Sequence, residues 1–302
     1  MDTINMINYV LLVVFFICYA YQAVYILIPF IIKPKPHKEA VMHRFAVLIS
    51  ARNEQAVIGK LIDSIKRQSY PAELVSVFVC ADNCTDETAR IAAEHGAEVF
   101  ERFNAEQVGK GYALSYLLGR IDAEYPERPF DAYFVFDADN VLEPDYIEQM
   151  NRTYSDGYEI VTGFRNSKNF GDNWISSGYA LWFMRESSWL NRSRMRAGTS
   201  CAVSGTGFMF SRRVLDECGG WNFFLLTEDI EFTISSITAG RRIGYCGDAV
   251  LYDEQPTKLG QSFRQRKRWT KGYVQVFMKY GGAMLRGIFK GSFACYDMFM
   301  NI

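Results

Sequence analysis

Asp137 and Asp139 stand two positions apart directly after the apolar run Ala132-Tyr133-Phe134-Val135-Phe136. Carboxylates at that spacing in extended chain point the same way, so both reach one small ion and its ligand. Mg2+ and Mn2+ suit such a pair, because they take one or two carboxylates and complete their shell with substrate phosphates. The chemistry implied is that of a metal-bound diphosphate; a turn or a helix cap explains the pair equally well when it is taken alone. Two further acidic segments reduce that ambiguity. Asp82 follows the apolar run Leu74 to Cys80, and Ser50-Ala51-Arg52-Asn53-Glu54 follows Phe45-Ala46-Val47-Leu48-Ile49. If these runs are neighbouring strands, three acidic strand ends meet in the crevice where open α/β sheets bind ligands.

Two more motifs come later in the chain. Thr227-Glu228-Asp229 precedes Ile230, Phe232 and Ile234. Either Thr227 caps a helix whose dipole the acids complement, or one carboxylate takes a proton from an attacking hydroxyl. Gln265-Arg266-Lys267-Arg268-Trp269 sets a guanidinium beside an indole. Arginine makes strong charge-assisted contacts to phosphate oxygens, and an indole closes over a ring. A basic surface is the alternative reading.

The elements that must position these residues are legible as periodicity. After Phe45–Ile49, apolar residues Ile58, Leu61, Ile62 and Ile65 recur at helical spacing. After Asp82, Thr85 is placed to cap a helix through Ala89, Ile91 and Ala92. Glu98-Val99-Phe100 reads as a short strand, and Tyr112, Leu114, Leu117 and Leu118 as a helix face. Near-continuous apolar strands alternating with helices predict an α/β protein with a mostly parallel, doubly wound sheet. Beyond Pro144 the pattern is more mixed, with strands expected at Glu159–Thr162 and Val203–Phe210 and an aromatic helix from Asp172 to Trp189. Its aromatics, Trp174, Tyr179, Trp182, Phe183 and Trp189, are expected in the core, with stacking on a sugar ring as the alternative.

The flanks concern a membrane. Tyr9 to Ile32 is almost wholly apolar, interrupted by Gln22, and long enough to cross a bilayer as a helix. The acidic start, the length and the absence of a small-residue cleavage site argue against a removed signal peptide. Lys33, Lys35 and Lys38 follow the span and none precedes it, so the positive-inside rule puts the rest of the chain in the cytoplasm, at the cell membrane. Seven cysteines without disulfide-like spacing agree with a reducing compartment. From Lys258 to Lys290 nine basic residues are interleaved with aromatic and aliphatic ones and no acid occurs, the pattern of an amphipathic helix on a membrane surface. The net charge of −1 gives the chain no nucleic-acid signature. The organisation expected is an anchor at 1–32, a linker at 33–43, a catalytic domain at 44–257, an interfacial segment at 258–290, and at 291–302 the start of a further membrane segment.

Taken in this order, the motifs resemble those of family 2 glycosyltransferases, on the membrane-bound branch with cellulose, chitin and hyaluronan synthases and bacterial N-acetylglucosaminyltransferases. The resemblance covers roughly Arg44 to Gly282. It implies a GT-A fold with a Rossmann-like mixed sheet, a nucleotide-sugar donor (usually UDP-linked), a divalent cation and inversion at the anomeric carbon. It also assigns residues: Ala51, Arg52 and Glu54 to the first nucleotide-binding loop, Asp82 to the base, and Lys110 to the donor. Asp137 and Asp139 become the DxD pair, with Asp139 nearest the metal, and Asp229 the general base beside Glu228. Gln265, Arg268 and Trp269 match QxxRW, at the diphosphate and the acceptor channel, and Gly205 and Thr206 lie in a loop lining the acceptor site. The acceptor expected is a glycan or a lipid. Multi-span members continue into helices that form an exit channel, so this chain is expected to be a fragment, to assemble with membrane subunits, or to make a short product. Two other functions remain open from the residues: a catalytically idle scaffold, which should have lost an acid, and a nucleotidyltransferase, which should carry a Gly-rich basic loop after the first strand. A dinucleotide-binding oxidoreductase lacks its Gly-x-Gly-x-x-Gly.

Overall fold

The computed structural model describes residues 3–127 and 129–302. Its first element, α1 (Thr3–Ile31), is long and apolar enough to cross a membrane. The body of the protein begins with β1 (Phe45–Ala51), α2 (Ile58–Lys66), β2 (Val75–Asp82), α3 (Thr88–Glu94), β3 (Glu98–Arg102), α4 (Lys110–Glu124) and β4 (Ala132–Asp137). These four strands are parallel, in the order β3-β2-β1-β4. The apolar runs of β1 and β4 are near-continuous because both faces are covered. Ala46, Leu48, Tyr133 and Val135 pack with Leu114 and Leu117 of α4, whereas Phe45, Val47, Ile49 and Phe134 pack with Leu61 and Ile62 of α2.

The second half departs from a parallel sheet. It runs β5 (Val141–Leu142), α5 (Tyr146–Ser155), β6 (Ile160–Ser167), α6 (Trp174–Met184), α7 (Arg192–Ala197), β7 (Phe208–Ser211), α8 (Arg212–Glu217), α9 (Glu228–Thr238) and β8 (Ile243–Asp253). β7 inserts antiparallel between β4 and β6, β8 lies parallel to β6, and β5 closes the edge antiparallel to β8. The sheet is therefore mixed, with eight strands. The strand expected from Val203 begins only at Phe208, because Gly205 and Gly207 take left-handed backbone (φ +75° and +66°) and turn Ser204–Gly207 into a loop. Thr85 does not cap α3, which starts at Thr88; its N–H is held instead by Asn53 Oδ1 at 2.8 Å.

α6 runs into a π-helical segment, Arg185–Asn191, before α7. Tyr179 and Phe183 are buried as expected, but Trp174, Trp182 and Trp189 are 72%, 54% and 57% exposed, which corrects the expectation of a plain aromatic core. α10 (Leu259–Phe289) is long and lies against α9, and α11 (Phe293–Asn301) folds back on both. Gly272 permits the α9–α10 approach: a Cβ there would stand 2.5 Å from Thr227 Cγ2. Arg194 of α7 and Asp297 of α11 form a buried ion pair (2.7 Å), on which Tyr21 and Tyr25 of α1 both converge with hydrogen bonds. The second half of α1 is held by this cluster, while its first half stands clear of the body.

Candidate functional site

The C-terminal ends of β1, β2 and β4 open on one cavity of about 980 Å³. Its walls include Arg52 and Glu54 after β1, Asp82 at the end of β2, and Asp137 and Asp139 at the end of β4. The N-terminal turn of α4 contributes Lys110, the first turn of α9 Glu228 and Asp229, and α10 contributes Gln265, Arg268 and Trp269. Residues more than 200 positions apart in sequence thus face one space, because the strand ends, the α9 start and α10 all meet at this edge of the sheet.

Asp137 and Asp139 have different environments. Asp137 receives a 2.5 Å hydrogen bond from Lys110 Nζ, and its own N–H is held by Thr206 Oγ1 at 2.9 Å. Asp139 is pushed up to about 8, first by burial and then by the charges of Asp253 and Asp137, with Lys168 opposing. A divalent ion is a counter-charge that a donor set of crowded carboxylates accommodates. Among the described residues no three His, Cys, Asp or Glu side chains form a ready ligand cage. Two strand-end carboxylates with the remaining positions left to phosphate oxygens and water fit the coordination habit of Mg2+ and Mn2+.

Asp229 Oδ2 accepts the Gly205 N–H at 2.6 Å, which fixes the orientation of the carboxylate. Burial raises its pKa; Lys110 and that hydrogen bond oppose the rise. Glu228 is raised to about 7, again chiefly by burial, although Lys110 lies 3.9 Å away. Burial works against the charge on Lys110, but Asp137 and Glu228 outweigh it and hold the ammonium above its ordinary range. Thr227, read as a helix cap, occupies the N-cap position without a capping hydrogen bond. Its Oγ1 is buried and has no hydrogen-bond partner among the described residues.

Trp269 packs edge-on against Tyr179 and Phe183, with ring centroids 5.8 and 6.1 Å apart. The exposed Arg268 beside it has no hydrogen bond or ion pair among the described residues, so its guanidinium is free to meet an anion. Gln265 Oε1 is buried without a hydrogen-bond partner among the described residues. Asp82 is committed to Arg102 (2.6 Å), which leaves its second oxygen for a ligand. Two of the expected residues sit behind the wall rather than in it. Ala51 is buried at the strand end, and Thr206 braces Asp137 and Asn140.

Sequence reasoning missed Asp253, which holds Arg165 and accepts from Asn140 Nδ2 at 3.0 Å, and whose charge acts on Asp139. Its signal was present: a carboxylate directly after the apolar run Ala249-Val250-Leu251-Tyr252. Arg165 in turn lies 3.7 Å over the Phe183 ring.

The chain is 28% identical over 267 residues to beta-monoglucosyldiacylglycerol synthase of Nostoc sp., covering 84% of this chain and 54% of that protein. It is 23% identical over 260 residues to poly-beta-1,6-N-acetyl-D-glucosamine synthase of Staphylococcus epidermidis, covering 83% and 61%. The chain thus spans little more than half the length of the curated relatives it matches. Among solved structures it is similar in fold to a mannosyltransferase of Pyrobaculum calidifontis in complex with GDP-Man and Mn2+, with a TM-score of 0.67 and 19% identity, covering 89% of this chain and 74% of that one. TarS of S. aureus in complex with UDP-GlcNAc aligns with a TM-score of 0.52 at 16% identity, covering 71% and 59%. The fold is GT-A. The model described as "Glycosyltransferase like family 2" matches residues 43–272, well over half of the sequence, and the chain belongs to glycosyltransferase family 2.

Proposed function

We propose that this protein is an inverting glycosyltransferase that moves a sugar from a nucleotide-diphosphate donor, UDP-linked in the first instance, to a hydroxyl of a lipid or glycan at the cytoplasmic face of a membrane. The observation that carries the proposal is the meeting of the Asp137–Asp139 pair, the buried Asp229 and the uncommitted Arg268 around one cavity. The donor side comprises Arg52, Glu54 and Asp82 for the nucleoside, and Lys110 and Asp137 for the sugar and phosphates. Asp139 is the principal metal ligand. A bound Mg2+ or Mn2+ would supply Lewis-acid stabilisation of charge on the leaving diphosphate.

Arg268 stabilises the same developing charge from α10, and Trp269 closes the site against Tyr179 and Phe183. Asp229 accepts the proton of the acceptor hydroxyl as its oxygen attacks the anomeric carbon from the face opposite the diphosphate. The hydrogen bond from Gly205 keeps the Asp229 carboxylate oriented, and burial raises its basicity, both of which suit a base. Glu228 balances Lys110, and Thr206 fixes the loop between acceptor and donor.

The membrane reading rests on α1 and on the exposed apolar residues of α6 and α10, including Trp174, Trp182, Phe263 and Met278. We assign 1–32 to the anchor, 33–43 to a linker, 44–257 to the catalytic domain and 258–290 to an interfacial segment. A panel of UDP- and GDP-sugars, scored for Mn2+-dependent transfer to membrane lipids by the full chain, tests the proposal. No transfer from any donor defeats it.

A further inference from the structure

The catalytic cavity does not end at Asp229. It continues along the π-helical segment to α1, where Gln22, Arg185, Glu186 and Met300 line it. Three observations make this arm a built space. Gln22 is the polar interruption in an otherwise apolar stretch of α1, and its Oε1 accepts from Arg185 Nη2 at 2.7 Å. Arg185 in turn pairs with Glu186 at 3.1 Å. Both open the seven-residue π-helix, a conformation that is rare and concentrates at functional sites. Tyr273 of α10 lines the same cavity, and the charges of Asp229 and Glu186 both act on its buried phenol.

The arm is charge-balanced. Arg185 is committed to Glu186 and Gln22, and Arg194 to Asp297. Arg52 and Arg268, the cavity cations without an ion pair among the described residues, serve the nucleoside and the donor diphosphate in the reading above. No uncommitted cation is left along the arm, among the described residues, to meet a second phosphate, and Glu186 would repel one. What the arm does offer is a carboxylate, an amide and a phenol that can exchange hydrogen bonds with hydroxyls, next to apolar walls formed partly by α1.

Resting on the proposed transferase activity, we infer that Gln22, Arg185, Glu186 and Tyr273 form the acceptor subsite, and that it selects an uncharged, hydroxyl-bearing lipid headgroup arriving along α1. α1 is then a wall of the active site as well as an anchor. The ordering of the site follows: donor at the strand ends, base at α9, acceptor headgroup between Tyr273 and Gln22.

The test uses the full chain in nanodiscs, with dioctanoylglycerol and its phosphorylated counterpart as acceptor probes and slow donor hydrolysis to water as a second readout. Gln22→Leu and Glu186→Ala should each raise the acceptor KM roughly 10- to 100-fold, the cost of removing a hydrogen bond to a polar or charged group. Donor KM and hydrolysis should stay within about twofold, which also shows that the variants fold. The wild type should prefer the uncharged probe, and Glu186→Lys should shift preference towards the phosphorylated one. Unchanged acceptor KM in both variants, equal use of the two probes by the wild type, or donor turnover without transfer to either lipid would each overturn the inference while leaving the transferase reading standing. No donor turnover by the wild type with any nucleotide sugar overturns that reading and the inference with it.

Discussion

Asp229→Asn is the perturbation that isolates the proposed base. The side chain keeps its shape, and the amide oxygen can still accept the Gly205 N–H that Asp229 Oδ2 accepts at 2.6 Å. The substitution removes the capacity to take a proton, together with the charge that Lys110 and Glu228 feel, and leaves Asp137, Asp139 and Arg268 on the donor side in place. A positioned general base contributes about 10²- to 10⁴-fold, so kcat should fall by that factor, which is roughly 3 to 5 kcal/mol of transition-state stabilisation. Donor affinity, measured by titration calorimetry with Mn2+ and nucleotide sugar, should stay within about twofold. The pH profile supplies a second readout. Burial raises Asp229 above the ordinary carboxylate range, so the wild-type rate should fall on the acid side as that group takes up its proton. The residual activity of the variant should lack this limb. A variant that turns over at near wild-type rate, or one that loses donor binding along with turnover, refutes the assignment.

Three other expectations concern stability. Glu228 is raised from 4.5 to about 7 in the folded state, so its proton is held more tightly there than in the unfolded chain; stability from this group is full below about pH 4.5 and lost as pH rises through 7. Glu228→Gln should therefore raise the melting temperature at pH 8, by an amount worth up to about 3 kcal/mol, and make little difference at pH 4; equal effects at both pH values would show that Glu228 is not strained. Arg194→Met strands the buried Asp297 carboxylate and should cost about 3–5 kcal/mol in thermal or denaturant unfolding, most of it recovered by adding Asp297→Leu; failure of the double variant to recover would mean that the pair's packing, not its charge, matters. Gly272→Leu pushes α10 off Thr227 and should cost about 1–3 kcal/mol, read as a lower melting temperature; a neutral result would mean that the two helices separate freely.

What could be read from the sequence was whatever depended on local pattern. The parallel strands β1, β2 and β4 are mostly apolar runs packed on both faces, and Asp82, Asp137 and Asp139 stand where the runs of β2 and β4 stop. The position of Asp229 in the first turn of a helix was also legible, although Thr227 was given a capping role that it does not fill. What could not be read depends on long-range pairing. β7 is short and lies antiparallel between strands far from it in sequence, so no periodicity announces its place. The Arg194–Asp297 pair joins residues 103 positions apart, each unremarkable alone. The exposed tryptophans of α6 and the adjoining π-helix break the rule that dense aromatics lie in a core. Their exposure has a physical reason if that surface meets a lipid interface, where amphipathic rings are favoured.

The central claim is that the Asp137–Asp139 pair binds the ion that holds a nucleotide sugar for transfer. The most direct measurement is release of nucleoside diphosphate by the full chain in lipid, across a panel of nucleotide sugars, with Mn2+, with chelator, and in an Asp139→Asn variant that melts normally. The account predicts release with at least one donor, abolished by chelator and reduced about 100-fold or more in the variant. Release that persists without metal, or that is undiminished by Asp139→Asn, would contradict it.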